Sequence, residues 1–588
     1  MVLRRLNFPT LPLLAAVLYA WPWCGVKADE QPADKLPAGL CAMELSDDGK
    51  TVFVGGSRSS YLSLIDLEKW AIRQVRMPDK GIASLKTLRD SNSVLLAIQD
   101  PPSLLDMQLE PAPEPLIRLP LPGTPRCLAI SDIGVVCVTM TWEHAVALAS
   151  IDEAGRLSPI EPRIVPLSFP PGRVIAVANN RFLIADAFGG KLALVDLSSK
   201  SPVQERELPI HHIGGLTVAE SGTVIHLTHQ RLSSIAETSH DDLHWGTLMQ
   251  NSVSSFSLSS FPDRTVSDTR LLKTRRLGLV GNGAADPAGV IAFENGDLCA
   301  AIGGTDQVAV LRKGAEQPEF VDVGVLPTEV IRLDETRVAV LNRLSETLSV
   351  VRTIRPAELI STIGPPRLLE SPEARGERAF YSARLSHDQW MSCNSCHIDG
   401  HSPDLLADTL GDGRHESPKR IPSLFDVAHT GPWSWIGNKS TLEDQVRQTL
   451  QTTMHGDEQR VETLGDVATT TSDLNAYMAT LVQPLRSQLS HATVEQGRML
   501  FESRGCVKCH APENYWTTKS SWDIGVRDEQ GHSEFNPPSL KSVTHRRAFF
   551  HDARFETLQE LLQDHHPGQT QPSSPDEIQL LQDYLKSI

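Results

Sequence analysis

Two five-residue stretches combine a pair of thiols with an imidazole: Cys393-Asn394-Ser395-Cys396-His397 and Cys506-Val507-Lys508-Cys509-His510. C-x-x-C-H is the spacing at which two thiols close onto the vinyl groups of a haem while the adjacent imidazole becomes an iron ligand. Two such pentads, 113 residues apart in a chain with nine cysteines, predict two covalently attached c-type haems. Cys393, Cys396, Cys506 and Cys509 are then the attachment thiols, and His397 and His510 the proximal ligands. The sixth coordination position decides the chemistry: two strong axial ligands make an electron carrier, whereas an open or water-bound position admits a substrate.

Helices are expected to hold both pentads. Near Pro365-Pro366 strand alternation gives way to helical periodicity, with approaches at 373–386 before the first pentad and 493–501 before the second. Candidate helices at 473–481 and 576–585 close the two halves. The last has Ser574 as N-cap, Pro575 at the first helical position and Glu577 three residues after the cap. The halves also align beyond the pentads: Ile421-Pro422-Ser423-Leu424 through His429-Thr430-Gly431-Pro432-Trp433 answers Pro537-Pro538-Ser539-Leu540 through His545 to His551-Asp552. A duplicated unit accounts for this.

On these residues the stretch from about 360 to 588 resembles the di-haem cytochrome c peroxidase and MauG superfamily. It departs from that family's pattern at Ala553, where a glycine is common, and at Ser434-Trp435-Ile436-Gly437, which replaces a His-Asp-Gly element. The resemblance implies that one haem reacts with hydrogen peroxide while the other relays electrons, sometimes through a tryptophan, for which Trp433 and Trp435 are the local candidates. The expected partner is a redox protein such as a small cytochrome or cupredoxin. The alternative is a non-catalytic di-haem electron-transfer protein docked through its N-terminal half.

The distal ligands stay open. Met454, His455, His429, His415 and His401 are candidates for the first haem. Met454 follows the helical 442–450 stretch at a place that resembles that of a family methionine. For the second haem the candidates are His551, His565 and His566, and His565 would give a bis-histidine centre. His401, His429 and Glu443 are candidate acid/base groups, and His551 a distal-side one. Calcium, which the resemblance also implies, would draw on the acidic stretch from Asp399 to Asp412.

From residue 40 to 355 the chain reads as short strands. Thr51-Val52-Phe53-Val54 followed by Tyr61-Leu62-Ser63-Leu64-Ile65 recurs near 93, 135, 181, 224, 299 and 337 with a period of about 40 to 44 residues, the size of a propeller blade. The expected fold is therefore multidomain: an all-β propeller of seven blades, resembling the YVTN type, followed by an all-α duplicated cytochrome c di-haem domain. The expected boundaries are 29–360, 361–485 and 486–588. The polar segment from roughly 240 to 290 reads as an insertion, and His211, His212, His226 and His229 as candidates for a rim facing the haem domain. Cys127 and Cys137 sit where adjacent strands would allow a disulfide, with free thiols the alternative.

Residues 1–28 look like a secretory signal peptide, with Arg4 and Arg5 before an apolar run from Leu11 to Trp23 and a small-residue site at Val26-Lys27-Ala28. Export to the periplasm or its equivalent, with no stable membrane span, follows. Removing that segment takes the formal charge from −17 to −20. Such an acidic chain disfavours nucleic acid and favours a basic redox partner. The oligomeric state is open.

Overall fold

The computed structural model describes residues 30–588 other than 34, 89–92, 111, 179, 200–202, 220–221, 264–266, 457–465, 485–489, 564–565 and 567–571. The signal-peptide reading of residues 1–28 lies outside the described residues.

Seven antiparallel sheets follow one another along the chain, each a four-stranded meander, spanning 40–76, 80–120, 125–166, 171–207, 211–276, 287–322 and 327–363. The first carries a fifth strand, Glu30–Ala33, on its outer edge against Ile72–Arg76. This is the seven-bladed propeller that the repeat predicts. The second strand of most blades is buried on both faces, so it reads as a near-continuous apolar run rather than an alternation, whereas that of blade 5, Val224–Leu232, buries Thr228, His229 and Gln230. In blade 2, Val94, Leu96 and Ile98 face blade 1, while Leu95 and Ala97 face blade 3. The ring closes without a shared strand: Leu40, Val52, Val54 and Ile65 of blade 1 pack on Ala339, Leu341, Leu348 and Val350 of blade 7.

One expectation is corrected and one open alternative is settled. The 240–290 segment contains the third and fourth strands of blade 5, Met249–Ser257 and Lys273–Arg276, and the helix His240–His244 lies in the turn before them. Its apolar signal is missing because blade 5 buries polar residues: Gln230 donates to Asn251 at 2.7 Å, and His229 pairs with Ser254 at 2.7 Å. Cys127 and Cys137 are free thiols. A bulge in their strand pair sets Cys127 opposite Thr139 and Cys137 opposite Ala129, so the sulfurs never face each other.

Past the last propeller strand, Glu358–Ile363, two helical units share one plan. In the first, Pro372–Tyr381 crosses Val467–Met478; in the second, His491–Ser503 crosses Pro575–Lys586. Both crossings use a glycine and an aromatic pair. A Cβ on Gly376 would lie 1.9 Å from the Asp473 carbonyl oxygen and one on Gly497 2.4 Å from that of Leu580, so only glycine allows the approach. One turn on, Phe380 meets Tyr477 and Phe501 meets Tyr584, each at 5.3 Å. Ser574 caps the last helix with the expected Glu577 capping box. A constant offset of 116 residues relates the parts between: the helices Leu442–Gln448 and Leu558–Gln563, and the left-handed residues Asp426 and Ser542, Ser434 and Phe550, Gly437 and Ala553. A two-stranded ribbon also recurs, Leu406–Ala407 with Lys419–Arg420 and Trp522–Asp523 with Glu534–Phe535.

The first helical unit is docked over the propeller mouth. Asp286, at 4% exposure, accepts hydrogen bonds from the Ser392 and Ser395 hydroxyls, the latter at 2.6 Å. The Ser395 carbonyl pairs with His211 at 3.1 Å, and Asn251 donates to the Trp390 carbonyl at 2.9 Å. Arg126 and Arg343 reach Asp399 at 2.9 and 3.6 Å. Replacing Asp286 with Asn keeps a residue that tolerates its left-handed backbone (φ 54°) but removes the charge. Charged hydrogen bonds contribute about 1.5–3 kcal/mol each. Asp286→Asn is therefore expected to lower stability by roughly 1–3 kcal/mol and to expose the 386–397 segment to proteolysis first, which denaturant titration and limited digestion will measure.

Candidate haem sites

The first pentad forms the short helix Cys393–Cys396, whose N-cap Ser392 and Ser395 make a reciprocal capping box. His397 ends it, with its amide bonded to the Cys393 carbonyl at 2.9 Å. In the second pentad His510 makes the same bond to Cys506 at 2.9 Å. Each ring is then aimed by a backbone carbonyl on its Nδ1: Pro422 for His397 at 3.0 Å, Trp516 for His510 at 3.2 Å. That leaves Nε2 as the ligand atom in both. Burial pushes His397 down to about 4 and His510 to about 3, so both imidazoles are neutral, as metal ligation requires.

A cavity of about 330 Å³ adjoins the first pentad. Its walls include Cys393, Cys396, His397, Met454, Trp433 and Trp435, with an apolar lining from Phe380, Leu424, Phe425, Leu450 and Met478. Met454, 2% exposed, is delivered by the π-helical turn Thr449–Thr453 that prolongs Leu442–Gln448. Gln445 also lines the cavity and its Oε1 has no hydrogen-bond partner among the described residues. Lys419, Arg420, Lys541 and Arg546 bring positive charge to the wall. The first three face Asp412, Asp404 and Asp426 at 3.1, 2.7 and 3.1 Å. Arg546 has no carboxylate within ion-pair distance among the described residues. Burial, then neighbouring Arg420, pushes its guanidinium down to about 9. An apolar slot flanked by two thiols and a neutral imidazole, with an uncompensated guanidinium on its wall, fits a haem whose propionates carry negative charge.

The second site is built from Phe501, Val543, Phe549, Leu561, Leu562 and Tyr584, with Cys506 and Trp516 against them. The His566 ring centroid stands 6.1 Å from that of His510. Two imidazoles on opposite sides of one metal, with bonds of about 2 Å, hold their centroids roughly 6 Å apart. This pair therefore fits a bis-histidine centre. His565 lies outside the described residues.

Several candidates stand elsewhere. His401 is buried behind Phe425 (5.3 Å, stacked) and against Phe188 of the propeller at 4.7 Å, so it packs the interface instead of lining the cavity. Glu443 is on the outward side of its helix, half exposed and paired with Arg447 at 3.2 Å, because cavity-facing positions recur at Leu442, Gln445 and Val446. His429 stacks on Tyr515 at 4.6 Å and joins the two units. His455 is held by the Thr238 carbonyl at 2.8 Å, and His415 is not among the cavity residues. His551 stacks on Phe535 at 4.0 Å and meets Trp435 edge-on at 6.4 Å, at the junction between the units. Trp433 and Trp435 are fixed by indole bonds to the carbonyls of Val427 and Arg420, at 3.0 and 2.7 Å. Of the four propeller histidines, His211 touches the helical unit and His212 lines a polar cavity of about 550 Å³ at the channel mouth, whereas His226 and His229 stay inside blade 5. The carboxylates between Asp399 and Asp412 do not gather a calcium ligand set: Asp399, Asp404 and Asp412 face arginine or lysine, and Asp408 accepts from the amides of Glu416 and Ser417.

Sequence reasoning missed Gln445 and Arg546. Gln445 was findable from its place three residues after Leu442 on the cavity face of a helix; Arg546 only from the absence of a partner. Among the described residues no helix is long and apolar enough to cross a membrane.

A family model described as di-haem cytochrome c peroxidase matches residues 372–503 and 491–583. The chain is 26% identical over 188 residues to cytochrome c551 peroxidase of Pseudomonas aeruginosa, covering 26% of this chain and 54% of that protein. It is also 26% identical over 249 residues to methylamine utilization protein MauG of Methylorubrum extorquens, covering 34% and 70%. The chain thus spans about half the length of the first of these relatives. Among solved structures, Kuenenia stuttgartiensis hydrazine synthase aligns with 54% of this chain and 96% of its own at 15% identity and a TM-score of 0.46. Residues 372–583 thus match a family model described as di-haem cytochrome c peroxidase, and they follow a seven-bladed β-propeller.

Proposed function

We propose that the protein is an exported di-haem c-type oxidoreductase that reduces hydrogen peroxide, or oxidises a partner with it, through two unequal iron sites. The observation that carries this reading is the asymmetry of the duplicated unit. His566 stands beside His510, whereas the residue 116 positions earlier, in the wall of the first cavity, is Leu450. Cys393, Cys396 and His397 would hold one haem and Cys506, Cys509 and His510 the other, with Met454 and His566 as the further candidate ligands. When bound, the two haems supply redox chemistry, in which peroxide takes up two electrons and two protons to give two waters. Because a nitrogen donor holds ferric iron more firmly than a thioether does, the Met454 position would open to peroxide more readily than the His566 position, which gives the reactive role to the Met454 side and the relay role to the His566 side.

The chain's own residues orient the substrate and bridge the sites. Gln445 shares the wall of the first cavity with Gln448 and Asn536, whose side-chain oxygens likewise have no partner among the described residues, and its amide can hydrogen-bond a small oxygen substrate. Trp435, edge-on to His551, and His429, stacked on Tyr515, are the aromatic contacts between the two units and support electron relay there. The donor would be a small cytochrome or cupredoxin, for which the acidic chain favours a basic face. A purely electron-carrying role is the second reading, favoured by the burial of Met454 in the cavity wall.

EPR of the oxidised holoprotein with and without peroxide, alongside peroxide-dependent oxidation of a reduced small c-type cytochrome, separates the two. Turnover with a spectral change confined to the His397 site supports the oxidoreductase; a wholly low-spin, peroxide-inert protein supports the carrier. His566→Ala is expected to turn the second ferric centre from low- to high-spin and leave the first unchanged. Gln445→Leu is expected to lower kcat/KM for peroxide about 10- to 100-fold with both ferric spectra intact.

A further inference from the structure

A second cluster of ligand-type side chains lies where the propeller meets the first helical unit, outside both haem sites. His244 comes from the helix His240–His244 in blade 5, and His387 and Asp388 from the turn five residues ahead of Cys393. The His244 Nδ1 is 2.9 Å from the Asp388 carboxylate and 3.3 Å from the His387 Nε2, and that Nε2 is 3.4 Å from the same carboxylate oxygen. Three donors bound to one tetrahedral cation at about 2.0–2.1 Å stand roughly 3.3 Å apart, the spacing these atoms already have. His240, one turn before His244, places its ring 4.1 Å from His387 on the solvent side, available as a fourth donor.

The surroundings hold this geometry. Asp388 is in the left-handed region (φ 50°), which aims its carboxylate back at the helix. Trp390, two residues on, is wedged against Gly246, Gly278 and Gly283, where an added Cβ would come within 2.3–2.4 Å of it. The cluster is thus assembled from two parts of the chain by close packing, and its nitrogen and carboxylate donors suit a late divalent cation rather than calcium.

We propose that His244, His387 and Asp388 form a zinc-type divalent metal site that pins the propeller to the turn carrying the first attachment pentad. The His387 amide donates to the Met454 carbonyl at 2.8 Å, so the same clamp steadies the backbone of the cavity's methionine. The rival is a plain histidine–carboxylate hydrogen-bond network.

The test uses the haem-loaded full chain, stripped of adventitious metal by chelator and dialysed against Zn²⁺, with zinc counted separately from haem iron by mass spectrometry. One zinc per chain is expected, falling at least tenfold in affinity in His244→Ala and in Asp388→Asn, which lie on different elements. Far-UV circular dichroism and the Soret band report that each variant is folded. Zinc is also expected to raise the thermal midpoint of the parent by about 2–4 °C and not that of the variants. No bound zinc in the parent, or equal zinc in parent and folded variants, overturns the proposal.

Discussion

Asp286 is a carboxylate buried between the propeller and the first C-x-x-C-H turn, and a buried charge persists only where donors surround it. Its donors are the hydroxyls of Ser392 and Ser395, with the His212 ring 3.7 Å away. Both serines belong to the turn that presents Cys393, Cys396 and His397, and Ser395 is at once a pentad residue and a capping-box partner. The interaction therefore fixes the pentad's helix by its N-terminus and by its propeller face together. Trp390 seats on three glycines of blades 5 and 6 only when that turn is in place, and the first cavity takes its shape from elements anchored there.

The same constraint explains how duplicated units diverged. The second pentad has Lys508 at the place of Ser395, and Lys508 is exposed. The second unit meets the propeller elsewhere, through Arg547 on buried Asp186 and His545 on Trp142, and it keeps the glycine–phenylalanine–tyrosine crossing and the 116-residue register, but its pentad has no counterpart of the Ser395–Asp286 clamp. Within that common frame, function-bearing differences sit on the chain after the shared helix, where Leu450 on one side answers His566 on the other. The scaffold is repeated because packing demands it; the ligand environments differ because no packing constraint couples them.

Much of this was legible in the sequence. The apolar second strands gave away most of the blades, since a strand buried between two neighbours is usually written with apolar residues; blade 5, with Thr228, His229 and Gln230 buried, was legible only from the apolar start of its strand and the spacing of the repeat. The paired Pro-Ser-Leu segments gave away the duplication. The rest was hidden where polar residues are buried against a distant part of the chain. Met249–Ser257 did not read as a strand because Asn251, Ser252 and Ser254 face Gln230, His229 and the docked unit, a partnership no local pattern encodes. His401 and Glu443 drew attention as acid/base groups by residue type, yet one packs beside a propeller phenylalanine and the other points to water; side-chain direction is set by tertiary contact in the first case and by helix phase in the second. Helix phase was readable, and it would have selected Gln445 over Glu443.

Arg546 shows how charge balance carries information that motifs do not. Lys419, Arg420 and Lys541 each meet a carboxylate, so their burial is compensated. Arg546 donates to the carbonyls of Ser539 and Lys541 and lies near Arg420, which adds repulsion to desolvation. A guanidinium kept in such a place is stable only with an anion beside it, and the apolar remainder of the cavity leaves that anion to the ligand. A haem held by the thiols and imidazole of the pentad would find, in the unpaired guanidinium, the group that draws its acidic edge. Its tether would then lie in the first unit and its orienting charge in the second, so that the two units would act on one ligand together.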